Sequence, residues 1–199
     1  MRGPRGRVLV VGGVLVAALL SWGGLDLLGP RRSDLRAFDP TEVARLDTGM
    51  WRSYYDRRPL LMFVQLAELM RRQFRLPYLR SYVVAARAIR AVSTTPFDER
   101  RAARLELEWW IVHRERAGHG GPGLERALAE AAAALYGIPP DSLAEYGRGR
   151  AMAMTLRDRG EAAGGLSAGD WARIQRVLDG SWRALWRAVQ PRSASSTPL

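Results

Sequence analysis

The chain contains no cysteine, no lysine and no asparagine, and only two histidines among its 199 residues. Without cysteine there can be no disulfide scaffold, no thiolate zinc or iron–sulfur site and no thiol nucleophile. Two histidines do not furnish a His-rich metal site, so neither a metal nor any other cofactor is expected. Strand-like alternation of apolar and polar residues is missing as well. The glycine-rich stretch Gly118-His119-Gly120-Gly121 lacks the Lys-Ser/Thr ending of a phosphate-binding loop, and His119 reads there as a solvated turn residue. What remains is a chain that is 47% hydrophobic, too apolar for wholesale disorder and long enough for one domain with an appendage.

Charge is the next departure from the ordinary. The formal net charge is +11, and with lysine absent all 31 cations are arginine. Such usage is what a GC-rich genome produces, so arginine abundance alone says little. The excess over 20 acids still implies attraction to something anionic, either nucleic acid or a phospholipid surface. No nucleic-acid-binding module is recognisable, and nucleic acid is not the expected partner.

The N-terminus favours the membrane. Arg2, Arg5 and Arg7 form a basic tip, after which Val8–Leu20 runs without a polar side chain and Ser21–Leu28 extends it with a single acid, Asp26. As a helix, Val8–Leu28 reaches about 31 Å, the thickness of a bilayer's hydrocarbon layer. A cleavable signal would need a small-x-small site, and Ala-x-Ala is missing around residues 21–29. Residues 1–30 therefore read as an uncleaved signal-anchor that contacts membrane lipid, with Trp22 suited to the interfacial aromatic belt. Arg31, Arg32 and Arg36 flank the other end, so counting cations does not orient the span. A short basic head before a first span stays inside, which places the body on the outer, periplasmic side of a bacterial inner membrane.

Residues 31–190 read as a compact antiparallel bundle of about seven helices, all-α, with a Ser- and Pro-rich disordered tail at 191–199. The helices are expected near 40–57, 60–75, 78–93, 96–117, 123–136, 141–162 and 168–190. Asp39-Pro40-Thr41-Glu42, Thr95-Pro96-Phe97-Asp98 and Ser167-Ala168-Gly169-Asp170 each set a capping oxygen three residues before a carboxylate. Apolar stripes follow: Val43, Leu46, Met50 and Tyr54; Met62, Phe63, Leu66, Leu69, Met70 and Phe74; Tyr78, Tyr82, Ala85, Ile89 and Val92; Leu124, Leu128, Ala131 and Leu135. The last helix carries the cleanest stripe, Trp171, Ile174, Leu178, Trp182, Leu185 and Val189, with Trp186 near its edge. Gly147, Gly149 and Arg150 interrupt the apolar face of 141–162.

Three groups of residues are candidates for function. Glu106 and His113 project from the broad apolar arc of 96–117, beside Trp109 and Trp110. They lie seven residues apart, about 10.5 Å along the axis, too far to share a proton or an ion. They define a candidate buried polar site, with an enzyme or ligand-carrier pocket as one reading and simple core packing as the other. The second group is a basic surface: Arg71, Arg72, Arg75, Arg80, Arg87 and Arg90, repeated on the final helix by Arg173, Arg176, Arg183 and Arg187. The third is the run Met50–Arg58, whose alternating rings and guanidinium groups suit cation–π contact or interhelical packing.

The strings MWRSYYDRRP (50–59) and TPFDERRAARLELEWWIVHRER (95–116) resemble those of an uncharacterised family of small bacterial proteins with a single N-terminal span. The resemblance covers most of residues 40–190. It implies an α-helical, membrane-anchored protein and brings no reaction, ligand or catalytic residue. The leading expectation is a non-enzymatic, membrane-anchored interaction or scaffold protein that turns basic faces toward anionic lipid or an acidic protein. An enzyme or carrier built around Glu106, Trp109, Trp110 and His113 is the alternative.

Overall fold

The computed structural model describes residues 4–29, 34–93 and 122–191, with side chains described for 12–29, 34–89 and 123–191. Every regular element among the described residues is helical. In chain order they are α1 (Pro4–Leu28), α2 (Pro40–Tyr55), α3 (Pro59–Phe74), α4 (Tyr78–Ser93), α5 (Pro122–Tyr136), a single 3-10 turn (Pro140–Leu143), α6 (Ala144–Ala162) and α7 (Ala168–Val189). The expected helix 96–117 lies outside the described residues, as does the tail from 192.

Local chemistry sets the boundaries. The Asp39 carboxylate accepts hydrogen bonds from the Thr41 and Glu42 amides at 2.9 and 3.3 Å, with Pro40 at the first helical position of α2. Ser167 and Asp170 form a reciprocal capping box at the start of α7. Exits use left-handed backbone: Arg57 (φ 55°) follows α2, Arg75 (φ 50°) ends α3, and Gly137 (φ 65°) follows α5. At Arg57 and Arg75 a proline two residues on, Pro59 and Pro77, prevents the helix from continuing.

One hydrophobic core joins α2, α3, α5, α6 and α7. The predicted stripe of α7 is buried throughout, with Ile174, Leu178 and Leu185 sealed from solvent, and Trp186 sits at the rim. In α2 the stripe is rotated from the expected one: Tyr54 faces outward, and Ala44, Asp47, Thr48 and Trp51 join Val43 and Leu46 inside. Tyr78 and Leu135, expected on apolar stripes, are also exposed.

Segment 141–162 is the end of a 3-10 turn followed by a full helix, with its glycines at close contacts with neighbouring helices. A Cβ at Gly147 would collide with the Glu125 carbonyl oxygen of α5, and one at Gly149 would lie 2.7 Å from the Ser181 Cβ of α7. What the apolar pattern presents as interruptions are the points where two neighbours approach the α6 backbone. Ser181, at the second of these points, donates its hydroxyl to the Tyr146 carbonyl at 2.8 Å.

Helices α1 and α4 stand apart from this core. α4 leans on α3, and α1 touches the rest of the described chain through α4. Val14, Leu15, Val16, Leu19, Leu20, Leu25 and Leu28 of α1 are all largely exposed. Among the described residues no helix is long and apolar enough to cross a membrane.

Candidate functional site

Two constellations of polar groups organise the described molecule. The first is the joint between α1 and α4. The four leading amides of a helix have no partner within it, and the macrodipole concentrates positive charge there. In α4 the Leu79 and Arg80 amides donate to Asp26 Oδ2 of α1 at 2.6 and 3.2 Å. The reverse contact closes the joint: Arg80 Nη2 donates to the carbonyls of Leu27 and Gly29 at 2.8 and 2.9 Å, where α1 runs out of amide partners. Each helix thus caps the other, an acid serving the N-terminal end and a cation the C-terminal end. Leu79 packs on α1 at the same place, its Cδ1 3.6 Å from where a Cβ on Gly23 would be, an ordinary van der Waals contact.

The second constellation lies in the core. Asp47 of α2 is buried, and its Oδ2 accepts from Arg150 Nη1 of α6 at 2.5 Å and from Trp182 Nε1 of α7 at 2.9 Å. Three rings surround the guanidinium: Arg150 Cζ is 5.6 Å from the Trp51 centroid, 5.8 Å from Tyr146 and 5.4 Å from Trp182. Edge-on packing of Tyr146 and Phe38 against Trp182 completes the shell. The acid is satisfied, the cation is charge-paired and the rings exclude water, so this is a tie between three helices. A neighbouring cation, Arg157, lies 4.7 Å from the Tyr55 centroid and pairs with Asp158. Burial pushes its guanidinium below the ordinary value, against the opposing pull of Asp158.

These contacts decide the role of the Met50–Arg58 run. Its rings do make cation–π contacts, but with Arg150 and Arg157 of α6 rather than with the arginines beside them in sequence. Trp51 is buried, Tyr55 is half-buried, and Arg52 pairs with Asp56 at 3.7 Å. The run is interhelical packing.

The basic surface divides under inspection. Arg71 and Arg72 both hydrogen-bond Glu68, and Arg72 also reaches Glu42 at 3.3 Å. The Arg71 hydrogen bond, reinforced by Arg72 and opposed by partial burial, holds the Glu68 carboxyl at about 2. Arg183 pairs with Asp179 at 2.8 Å and Arg187 approaches Glu145 at 3.3 Å. Arg80 belongs to the joint. Arg75, Arg87, Arg173 and Arg176 have no acid in ion-pair range among the described residues, and all four are exposed. The side chain of Arg90, and Glu106, Trp109, Trp110 and His113, lie outside the described residues.

Neither constellation was singled out from sequence as a site, yet each left a trace there. Asp26 is the one acid in an apolar run, and Asp47 stands four residues after Val43 and four before Trp51, on the stripe that is buried. Among the described residues no group of three or more His, Asp or Glu side chains is arranged to hold a metal ion. Comparison with protein-family models, curated proteins and solved structures finds no match to this chain.

Proposed function

We propose that the chain is a membrane-anchored helical interaction module, with α1 as a single span and the α2–α7 body held at the bilayer surface. One observation carries the reading: among the described residues α1 exposes eight large aliphatic side chains, and its contacts with α4 lie at its C-terminal end. Water penalises such a helix by about 25 cal/mol for each Å² of apolar surface left uncovered, whereas hydrocarbon does not. In sequence the apolar stretch begins at Val8, ahead of the described side chains, and gives the helix a reach of about 31 Å. The basic tip supports an inside N-terminus and a body on the far side of the membrane. Arg75, Arg87, Arg173 and Arg176, exposed and with no acid in ion-pair range among the described residues, supply positive charge to the body, suited to anionic headgroups or an acidic protein.

The test is fractionation of cells that express the full-length chain, followed by alkaline carbonate washing and flotation. The expected result is that the intact chain floats with the membranes and resists carbonate. Recovery from the soluble extract, whole or trimmed of its first thirty or so residues, refutes the reading.

A further inference from the structure

If α1 spans the bilayer, the first turn of α4 cannot lie clear of it. The amides of Leu79 and Arg80 are fastened to Asp26, and Leu79 packs beside Gly23. Gly23 lies five residues before the end of α1, which is about 7.5 Å back along the axis. With Leu28 at the outer edge of the hydrocarbon layer, the α3–α4 turn, which meets α1 between Gly23 and Gly29, stands at that edge and reaches about 7.5 Å inside it.

Its composition suits that edge. Pro77 and Tyr78 are exposed, Tyr78 places its hydroxyl 3.3 Å from that of Tyr82, and Trp22 of α1 is exposed at a neighbouring level. Tyrosine and tryptophan favour this boundary because one end of each ring is apolar and the other hydrogen-bonds. Arg75, exposed and without an acid in range among the described residues, ends α3 on the same turn, with its Nε on the Ala37 carbonyl at 2.7 Å. A cation there complements phosphate. The joint also solves the problem an acid raises at this depth, because Asp26 receives two amides and the positive end of a helix in place of water.

We infer that residues 75–82, the α3–α4 turn and first turn of α4, form a second bilayer contact that inserts at the boundary of headgroups and hydrocarbon beside α1 and is held there by Asp26. The inference rests on the anchor reading. It adds that the body cannot swivel freely on a tether, because its nearest helix is capped by the anchor.

The absence of cysteine makes the test direct, since any introduced thiol is the unique labelling site. Full-length Tyr78→Cys, Trp22→Cys and Met152→Cys are each labelled with an environment-sensitive fluorophore and reconstituted into vesicles of phosphatidylcholine and phosphatidylglycerol in equal parts. Met152, exposed on α6, is the aqueous reference. With spin-labelled lipid as quencher, the labels at 78 and 22 are expected to lose fluorescence to a similar degree, several-fold more than the label at 152. Introducing Asp26→Ala is expected to move the 78 label toward the aqueous reference while the 22 label stays quenched. A 78 label that matches 152 while 22 is quenched overturns the inference and leaves the anchor standing. Loss of quenching at 22 as well overturns the anchor itself. A 78 label that ignores Asp26→Ala overturns the role given to the joint.

Discussion

The strongest stability test in the molecule is removal of the Asp47 carboxylate. Asp47 is 1% exposed and satisfies two donors with one oxygen, the Arg150 guanidinium at 2.5 Å and the Trp182 indole at 2.9 Å. Asp47→Ala leaves a guanidinium among three rings and an indole N–H without its acceptor. Removing one partner of a buried ion pair costs about 3–5 kcal/mol, most of it the penalty for the charge left behind. Arg150 keeps the rings of Trp51, Tyr146 and Trp182 in parent and variant alike, and its side chain is 12% exposed, so the lower end of that range applies. The net expectation is a loss of about 3 kcal/mol, a fall in Tm of about 6–12 °C for a chain of this size. Asp47→Asn keeps an oxygen for the indole and should lose about 2 kcal/mol, since only the charge is removed.

Urea unfolding of the full chain in mild detergent, followed by tryptophan fluorescence, measures both. Trp51 and Trp182 report from inside the site. The discriminating measurement is the pair Asp47→Leu with Arg150→Met. If the cost arises from an orphaned charge, the double variant recovers most of the stability that Asp47→Ala loses, because no ion remains to be desolvated. An Asp47→Ala chain within about 1 kcal/mol of the parent would refute the reasoning, since no buried, doubly bonded carboxylate should be that cheap to delete.

Two further outcomes follow from particular contacts. Gly180 lies inside α7 with open space around a notional Cβ, so Gly180→Ala should stabilise by about 0.5–1 kcal/mol, whereas Gly147→Ala, facing the Glu125 backbone, should destabilise by about 1–3 kcal/mol; both are read from urea midpoints, and like-signed effects would contradict the packing. Glu68, depressed from 4.5 to about 2, contributes stability that is complete above pH 4.5 and disappears as pH falls toward 2, so Glu68→Gln should flatten the loss of stability across that window in pH-dependent unfolding, and an unchanged profile would contradict it.

Much of the architecture was legible because it is written in local chemistry. The caps at Asp39 and Ser167, the stops at Arg58-Pro59 and Leu76-Pro77, and the heptad-like stripe of α7 need no knowledge of neighbours. Errors arose where the partner decides. Tyr54 matches the spacing of Val43, Leu46 and Met50, yet α3 and α7 meet α2 on the side of Trp51, so the tyrosine is left outside. Gly147 and Gly149 weaken the pattern of α6 for the same reason that they strengthen its packing. The arginine count overstated the basic surface because acids distant in sequence, Glu42 and Glu145 among them, lie against it in space.

The two acids that matter most share a property that sequence shows only as an anomaly. Asp26 and Asp47 each sit where the surrounding residues are apolar, and a charge in such surroundings survives only with a partner supplied from elsewhere. For Asp47 that partner is a cation 103 positions later in the chain, and for Asp26 it is a set of backbone amides 53 and 54 positions later. Neither partner carries a residue-type signature, since one arginine among 31 is not conspicuous and an amide belongs to every residue except proline. The consequence differs between them. Asp47 ties three helices of one core, so its loss is felt as stability. Asp26 ties the core's outlying strut to the apolar helix, so its loss is expected to change how the body is held rather than whether it folds.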